Sequence, residues 1–317
     1  MGQILSIVLP VFGLIGIGAA VAWTKLLGRT TGDALSEFVF AVAIPVLLFR
    51  IMATADLGST SAWRLWLAFF AAFAVSWLAG TVLTRRLFGR DARAGLVAGL
   101  AAGYGNTTLI GIPLALAAFG ADGSVPMALI IAVQLPMMMT AVALLMVRAE
   151  RQDGVGSGRS KPGTVLRSLA ENLVGNPIIV GIAAGLAWRI AGVPLSGLPA
   201  DLVNRLADVA GTLALFAMGM SLKHYGIRGN VAAGLVLTFL KLIAMPALAL
   251  LLARLIGLPP IATQVVVIAA SCPTGVTPFL VAGRFRTGEG LASTTITMST
   301  GLAVLSVALW LKVLEWF

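Results

Sequence analysis

The residues best suited to chemistry lie in two short polar stretches set inside hydrophobic segments. The first is Gly103-Tyr104-Gly105-Asn106-Thr107-Thr108-Leu109-Ile110-Gly111-Ile112-Pro113, and the second is Ser271-Cys272-Pro273-Thr274-Gly275-Val276-Thr277-Pro278. Proline removes a backbone donor and clashes with the preceding turn, while glycine lets a chain leave helical geometry. Each stretch therefore predicts a helix that stops and restarts, with Gly105, Gly111 and Pro113 making the first break and Pro273, Gly275 and Pro278 the second. A stopped helix offers carbonyls at the end of its first half and N–H groups at the start of its second. Each end acts as roughly half a charge. Two positive half-helix ends aimed at one small volume would suit a carboxylate. Asn106, Thr107, Thr108, Ser271, Cys272, Thr274 and Thr277 would line it without the desolvation cost of a buried charge. The competing reading is that these polar groups only repair the broken backbone. Cys272, the one cysteine in the chain, is expected to react readily if it lines a wet cavity at a helix end.

Depth supports a membrane setting for the first break. Arg93 lies 13 residues before Asn106 and Asp122 lies 16 after it, which at about 1.5 Å per residue puts roughly 20 Å of helix on either side. Lys241 is the other residue whose chemistry matters, because it is the single charge deep inside a hydrophobic span. Intramembrane lysines face the protein interior or water. Three roles remain open from sequence: counter-ion to a substrate, proton-coupled switch, or partner to Glu37 or Asp208. Arg50 and Arg189 read as interfacial anchors near helix ends.

The elements that must carry these residues follow from composition. Of 317 residues 59% are hydrophobic and 11% charged, with a mean hydropathy of +1.01. A soluble domain carries about 25% charge, so the chain reads as an all-α polytopic membrane protein. Apolar runs predict ten transmembrane helices over 4–23, 35–52, 63–84, 94–119, 125–147, 173–190, 206–222, 231–255, 261–281 and 291–311. Fifteen of the 22 Lys and Arg fall in the odd-numbered loops. The positive-inside rule then places those loops in the cytoplasm and both termini on the periplasmic side. The first span lacks a basic leader and reads as a permanent helix. The net charge of +10 is distributed as loop charge, so nucleic acid is not an expected partner.

The segment Glu150–Thr164 is polar and rich in glycine and serine, and reads as a linker. It divides the chain into a first repeat over 1–148, a linker over 149–164 and a second repeat over 165–317. Pro10, Gly18 and Ala20 match Pro177, Gly185 and Ala187 at a constant offset of 167, and Asn106 matches Pro273 at the same offset. Five helices per half is an odd number, so the second repeat must be inserted upside down relative to the first. Pro45 and Gly219 mark interruptions in the second and seventh helices that ordinary close packing would explain. No paired carboxylate lies in a span, no nucleotide loop is present, and His224 is the single histidine, at a helix end. The chain is therefore not expected to be an enzyme, and neither a metal nor a cofactor is expected.

Gly105-Asn106-Thr107-Thr108 with Gly111-Ile112-Pro113-Leu114, followed by Pro273-Thr274-Gly275-Val276, resembles the auxin efflux carrier family, which includes bacterial malate and malonate permeases. Phe40–Phe49, Asn176-Pro177, Leu215–Gly219 and Lys241-Leu242 with Pro246 fit the same pattern. The family lies within the bile acid, arsenite and riboflavin transporter-like superfamily. The resemblance implies two inverted five-helix repeats with broken fourth and ninth helices that cross. It also implies a transport domain of helices 3–5 and 8–10 sliding against a scaffold of helices 1–2 and 6–7, an elevator-type movement. The implied activity is secondary transport of a small organic anion, such as malate, malonate or an auxin-like acid, in a bacterial inner membrane. The polar substrate contact falls on Asn106, and a homodimer through the scaffold helices is the assembly such carriers would form. Sodium-coupled transport of a larger amphipathic anion is an alternative. That alternative is weakened because the fourth and ninth spans lack the acidic residues the sodium symporters use. A non-transporting sensor or scaffold is a further alternative, and matched polar breaks speak against it.

Overall fold

A computed structural model describes residues 2–55, 61–155 and 175–316. Most of the predicted linker and the residues Leu173 and Val174 lie outside them. The described residues are helical, with one isolated antiparallel bridge. Seven helices among them are long and apolar enough to cross a membrane: Ile4–Trp23, Arg29–Ala53, Ala62–Phe88, Thr107–Gln152, Gly197–Tyr225, Val231–Ile256 and Glu289–Leu314. Shorter apolar helices are Ala92–Gly103, Pro177–Ile190 and Pro260–Ser271. Large apolar side chains such as Leu5, Leu9 and Ile17, Leu67 and Leu78, and Leu305 and Leu309 stand exposed on the long helices. A soluble protein does not leave so much apolar surface in water, so these faces belong against lipid.

In chain order the helices are α1 (Gly2–Trp23), α2 (Arg29–Phe38), α3 (Ile44–Ala53), α4 (Ala62–Phe88), α5 (Ala92–Gly103) and α6 (Ile112–Gln152). They are followed by α7 (Pro177–Ile190), α8 (Gly197–Tyr225), α9 (Val231–Phe239), α10 (Met245–Ile256), α11 (Pro260–Ser271), α12 (Thr277–Phe285) and α13 (Glu289–Leu314). Helix α6 is two helices meeting at Gly120, whose φ of 61° makes the bend. Three wide π turns, at Val39–Ala43, Thr107–Gly111 and Leu240–Ala244, each end two residues before a proline: Pro45, Pro113 and Pro246. Proline cannot donate to the carbonyl four residues back and its ring crowds that oxygen. A wide turn absorbs the misfit. For Pro246 the released carbonyl is that of Leu242, and it accepts from Ser306 Oγ at 2.7 Å and Trp310 Nε1 at 2.8 Å. In lipid such a carbonyl must find a protein partner.

The residues form two compact units. The first takes the described residues of 1–62, 108–134 and 170–224. Here α1 and α8 touch backbone to backbone. A Cβ at Gly18 would stand 2.1 Å from the Phe216 carbonyl oxygen, and one at Gly219 would stand 2.0 Å from that of Ile15. Gly219 is thus a packing residue, and Pro45 packs its backbone against Gly181 of α7. Arg50, expected as an anchor, instead donates to Asp208 at 2.7 Å and to Asn204 at 3.3 Å. Asp208 is therefore paired with Arg50, not with Lys241.

The second unit takes the described residues of 63–107, 135–169 and 225–317. Its core sets Ala94, Ala98 and Ala102 of α5 against Ala233, Leu237 and Leu291. Small residues let these helices approach closely. The start of α5 is fixed by two carboxylates. Asp91 accepts from the Ala94 N–H at 2.7 Å. Asp153, just past α6, accepts from the N–H groups of Ala92 and Arg93 and from Arg93 Nε, at 2.8, 3.0 and 3.1 Å. Burial alone would raise the Asp153 carboxyl, but the two backbone N–H donors and the guanidinium outweigh it and hold it below the usual aspartate range. Its folded pKa is depressed, so its contribution is present at neutral pH and is lost as pH falls through the acid range. Asp153→Ala is expected to destabilise the protein by roughly 1–3 kcal/mol, read as a lower melting temperature at pH 7. The gap between variant and wild type should close towards pH 3.

Candidate functional site

Gly103–Thr107 of the first polar stretch and the whole of the second come together within the second unit. Helix α5 ends at Gly103 and helicity resumes at Thr107, while α11 ends at Ser271 and α12 begins at Thr277. Between them Gly105 and Thr274 pair as the isolated antiparallel bridge. The Asn106 N–H donates to the Pro273 carbonyl at 2.8 Å, and the Gly275 N–H donates to the Tyr104 carbonyl at 2.9 Å. An uninterrupted helix would have sent those two N–H groups to the carbonyls of Ala102 and Ser271. Each break therefore binds the other with the donors it has released.

Side chains complete the exchange. Thr274 Oγ1 donates to the Ala101 carbonyl at 2.8 Å, the acceptor that a continuous α5 would have offered to Gly105. The Thr274 N–H donates to Ser299 Oγ of α13 at 3.0 Å. Lys241, in the π turn before Pro246, is fully buried. Its Nζ donates to the Ala270 carbonyl at 2.5 Å and contacts Met245 Sδ at 3.3 Å. Gly105 admits this ammonium because it has no side chain: a Cβ there would stand 3.1 Å from Lys241 Nζ and 3.3 Å from the Cys272 carbonyl oxygen.

The predicted lining residues therefore divide. Ser271, Cys272 and Thr274 are fully buried. Ser271 Oγ and Cys272 Sγ both turn back onto the Ile268 carbonyl, at 2.9 and 3.3 Å. The expectation that Cys272 lines a wet cavity is corrected here, because its thiol folds over the last turn of its own helix. A membrane-impermeant thiosulfonate is expected to leave Cys272 unlabelled in native membranes from either side and to label it fully in denaturant. Fast labelling without denaturant would mean that the break opens to water.

Asn106 is 7% exposed and Thr107 is buried, whereas Thr277 is half-buried and hydrogen-bonds with the Tyr104 hydroxyl. Thr108, half-buried in its π turn, and the buried Gly111 and Pro113 belong to the first unit, where Pro113 packs near Gly211. Pro273 and Gly275 lie in the second break, and Pro278 opens α12. Sequence reading missed Tyr104, Met245 and Ser299. Ser299 had a visible signal, since six of the eight residues Ser293–Thr300 carry hydroxyls inside a transmembrane segment. Among the described residues no group of three or more His, Cys, Asp or Glu could hold a metal.

A family model described as "Membrane transport protein" matches residues 3–311. The chain belongs to this family, that of the auxin efflux carriers. It is 30% identical over 323 residues to a Rhizobium meliloti protein provisionally named a malonate transporter, covering 97% of this chain and 94% of the relative. An uncharacterized transporter of Methanothermobacter thermautotrophicus is 26% identical over 97% of both chains. Auxin efflux carrier component 3a of Oryza sativa is 24% identical over 48% of this chain and 26% of its own length. The protein is thus a membrane transporter and not an enzyme.

Proposed function

We propose that this transporter is a secondary carrier of a small organic anion, a mono- or dicarboxylate such as malate or malonate or an auxin-like acid. The observation that supports it most is the pairing of two polar helix breaks over a buried ammonium, Lys241. Broken helices in carriers hold charged substrates at their ends, and an anion next to this pair would feel the positive potential of Lys241. In this reading Asn106, Thr107 and Thr277 meet the carboxylate, while Ser271, Cys272 and Thr274 hold the breaks in place. Because the two breaks are bonded to each other, they would travel as one body in an elevator-type movement. In that scheme helices 3–5 and 8–10 would slide against helices 1–2 and 6–7, within two inverted repeats of five helices.

A thermal-shift screen of the purified protein against mono- and dicarboxylates tests the substrate class. Stabilisation by at least one small carboxylate, saturable and competed by its congeners, is the expected result. A flat response across the set, with uptake also absent in liposomes, would sink the reading. The arginine and lysine distribution further supports a bacterial plasma-membrane carrier with both termini periplasmic. A reporter fused after Phe317 is expected to read out on the periplasmic side, and a cytoplasmic readout would invert the topology.

A further inference from the structure

Lys241 makes no ion pair with any carboxylate among the described residues. An ammonium buried in a span without a carboxylate is costly, so what it does contact matters. Its main acceptor is the Ala270 carbonyl, one of the last carbonyls of α11. In an unbroken helix that oxygen would accept from the Thr274 N–H, but Thr274 donates to Ser299 instead. The break thus exposes a carbonyl at the negative end of a half-helix, a position where carriers with discontinuous helices coordinate a monovalent cation. The ammonium fills it, with Met245 Sδ on one side and the Gly105 backbone pressed close on another.

We infer that Lys241 is a tethered cation: its ammonium occupies the monovalent-cation position that the break in the α11–α12 segment would otherwise offer to a free ion. The pairing of the two breaks is then held without binding sodium. The link to transport rests on the carboxylate reading above, whereas melting temperatures read the cation position by themselves.

The test uses the purified full chain as wild type, Lys241→Ala and Lys241→Met. Melting is followed in sodium, methylammonium or ethylammonium chloride, with choline chloride keeping ionic strength constant. Wild type should melt at the same temperature in all four salts. Lys241→Ala leaves a space with an unpaired carbonyl, so it should melt lower by about 5 °C or more. It should recover part of that loss in methylammonium or ethylammonium but none in choline. Lys241→Met fills the space with a neutral chain, so it should melt lower and respond to no salt. Three results would overturn the assignment: wild type stabilised by sodium over choline, Lys241→Met as stable as wild type, or a folded Lys241→Ala that no small cation stabilises. If the salts behave as expected but no carboxylate binds wild type, the tethered cation stands and the substrate reading fails.

Discussion

Asn106→Ala is expected to lower carboxylate affinity roughly 10- to 100-fold while the protein still folds and inserts. The expectation comes from separating two parts of one residue. The Asn106 backbone N–H holds the Pro273 carbonyl and so helps bind one break to the other. Alanine keeps that N–H. What it removes is the side-chain amide, which lies at the break with 7% of the residue exposed. A hydrogen bond to a charged group contributes about 1.5–3 kcal/mol, and each 1.4 kcal/mol is about tenfold in affinity. The loss should therefore fall on binding over and above any fall in the melting temperature of the substrate-free protein. Measuring both in one thermal-shift titration separates the cases. If melting falls and affinity does not, Asn106 is a repair residue, and the carboxylate is held elsewhere.

Gly105→Val is expected to have the larger effect on the fold. Even a single Cβ at this position would stand 3.1 Å from Lys241 Nζ, 3.2 Å from its Cε and 3.3 Å from the Cys272 carbonyl oxygen. Valine adds two methyl groups beyond that point. The ammonium would have to leave the Ala270 carbonyl, or the bridge to Thr274 would have to open. Overpacking of this kind costs roughly 1–3 kcal/mol, and a displaced buried ammonium adds to it. Uptake should be lost and melting should drop by several degrees. Gly105→Ala asks the neighbours to shift only by tenths of an ångström and should retain most of the stability. A Gly105→Val protein that melts and transports like wild type would mean that the pairing of the breaks is dispensable.

Much of the site was legible because glycine and proline act locally. Gly105, Pro113, Pro273 and Pro278 announce helix ends whatever surrounds them. The same reasoning could not say where a released donor goes, because partners such as Ser299 and Lys241 come from remote parts of the chain. Cys272 was misread for that reason: position next to a break was legible, but the direction of the thiol depends on the last turn of α11. Helix lengths erred in a different way. Hydropathy marks the apolar stretch and not the helix, so the predicted segment 35–52 missed the turn from Arg29 to Gly32. That turn stays helical, with Arg29 and Asp33 3.5 Å apart one turn along. Gly197–Asn204, at the start of α8, was missed in the same way.

The dependence on α13 has a consequence for biogenesis. Ser299 holds the Thr274 amide, while Ser306 and Trp310 hold the Leu242 carbonyl. All three belong to α13, which is made after the helices that carry the groups it holds. Until it arrives, both groups sit in the bilayer without the partners they have in the finished protein. The second break and the turn that carries Lys241 are thus completed only once α13 has been made, after the described helices α1 to α12. A chain stopped short of Ser299 would insert most of its helices and still lack a finished site. Such products should be prime targets for membrane quality control, so the arrival of α13 acts as the checkpoint for the site that it completes.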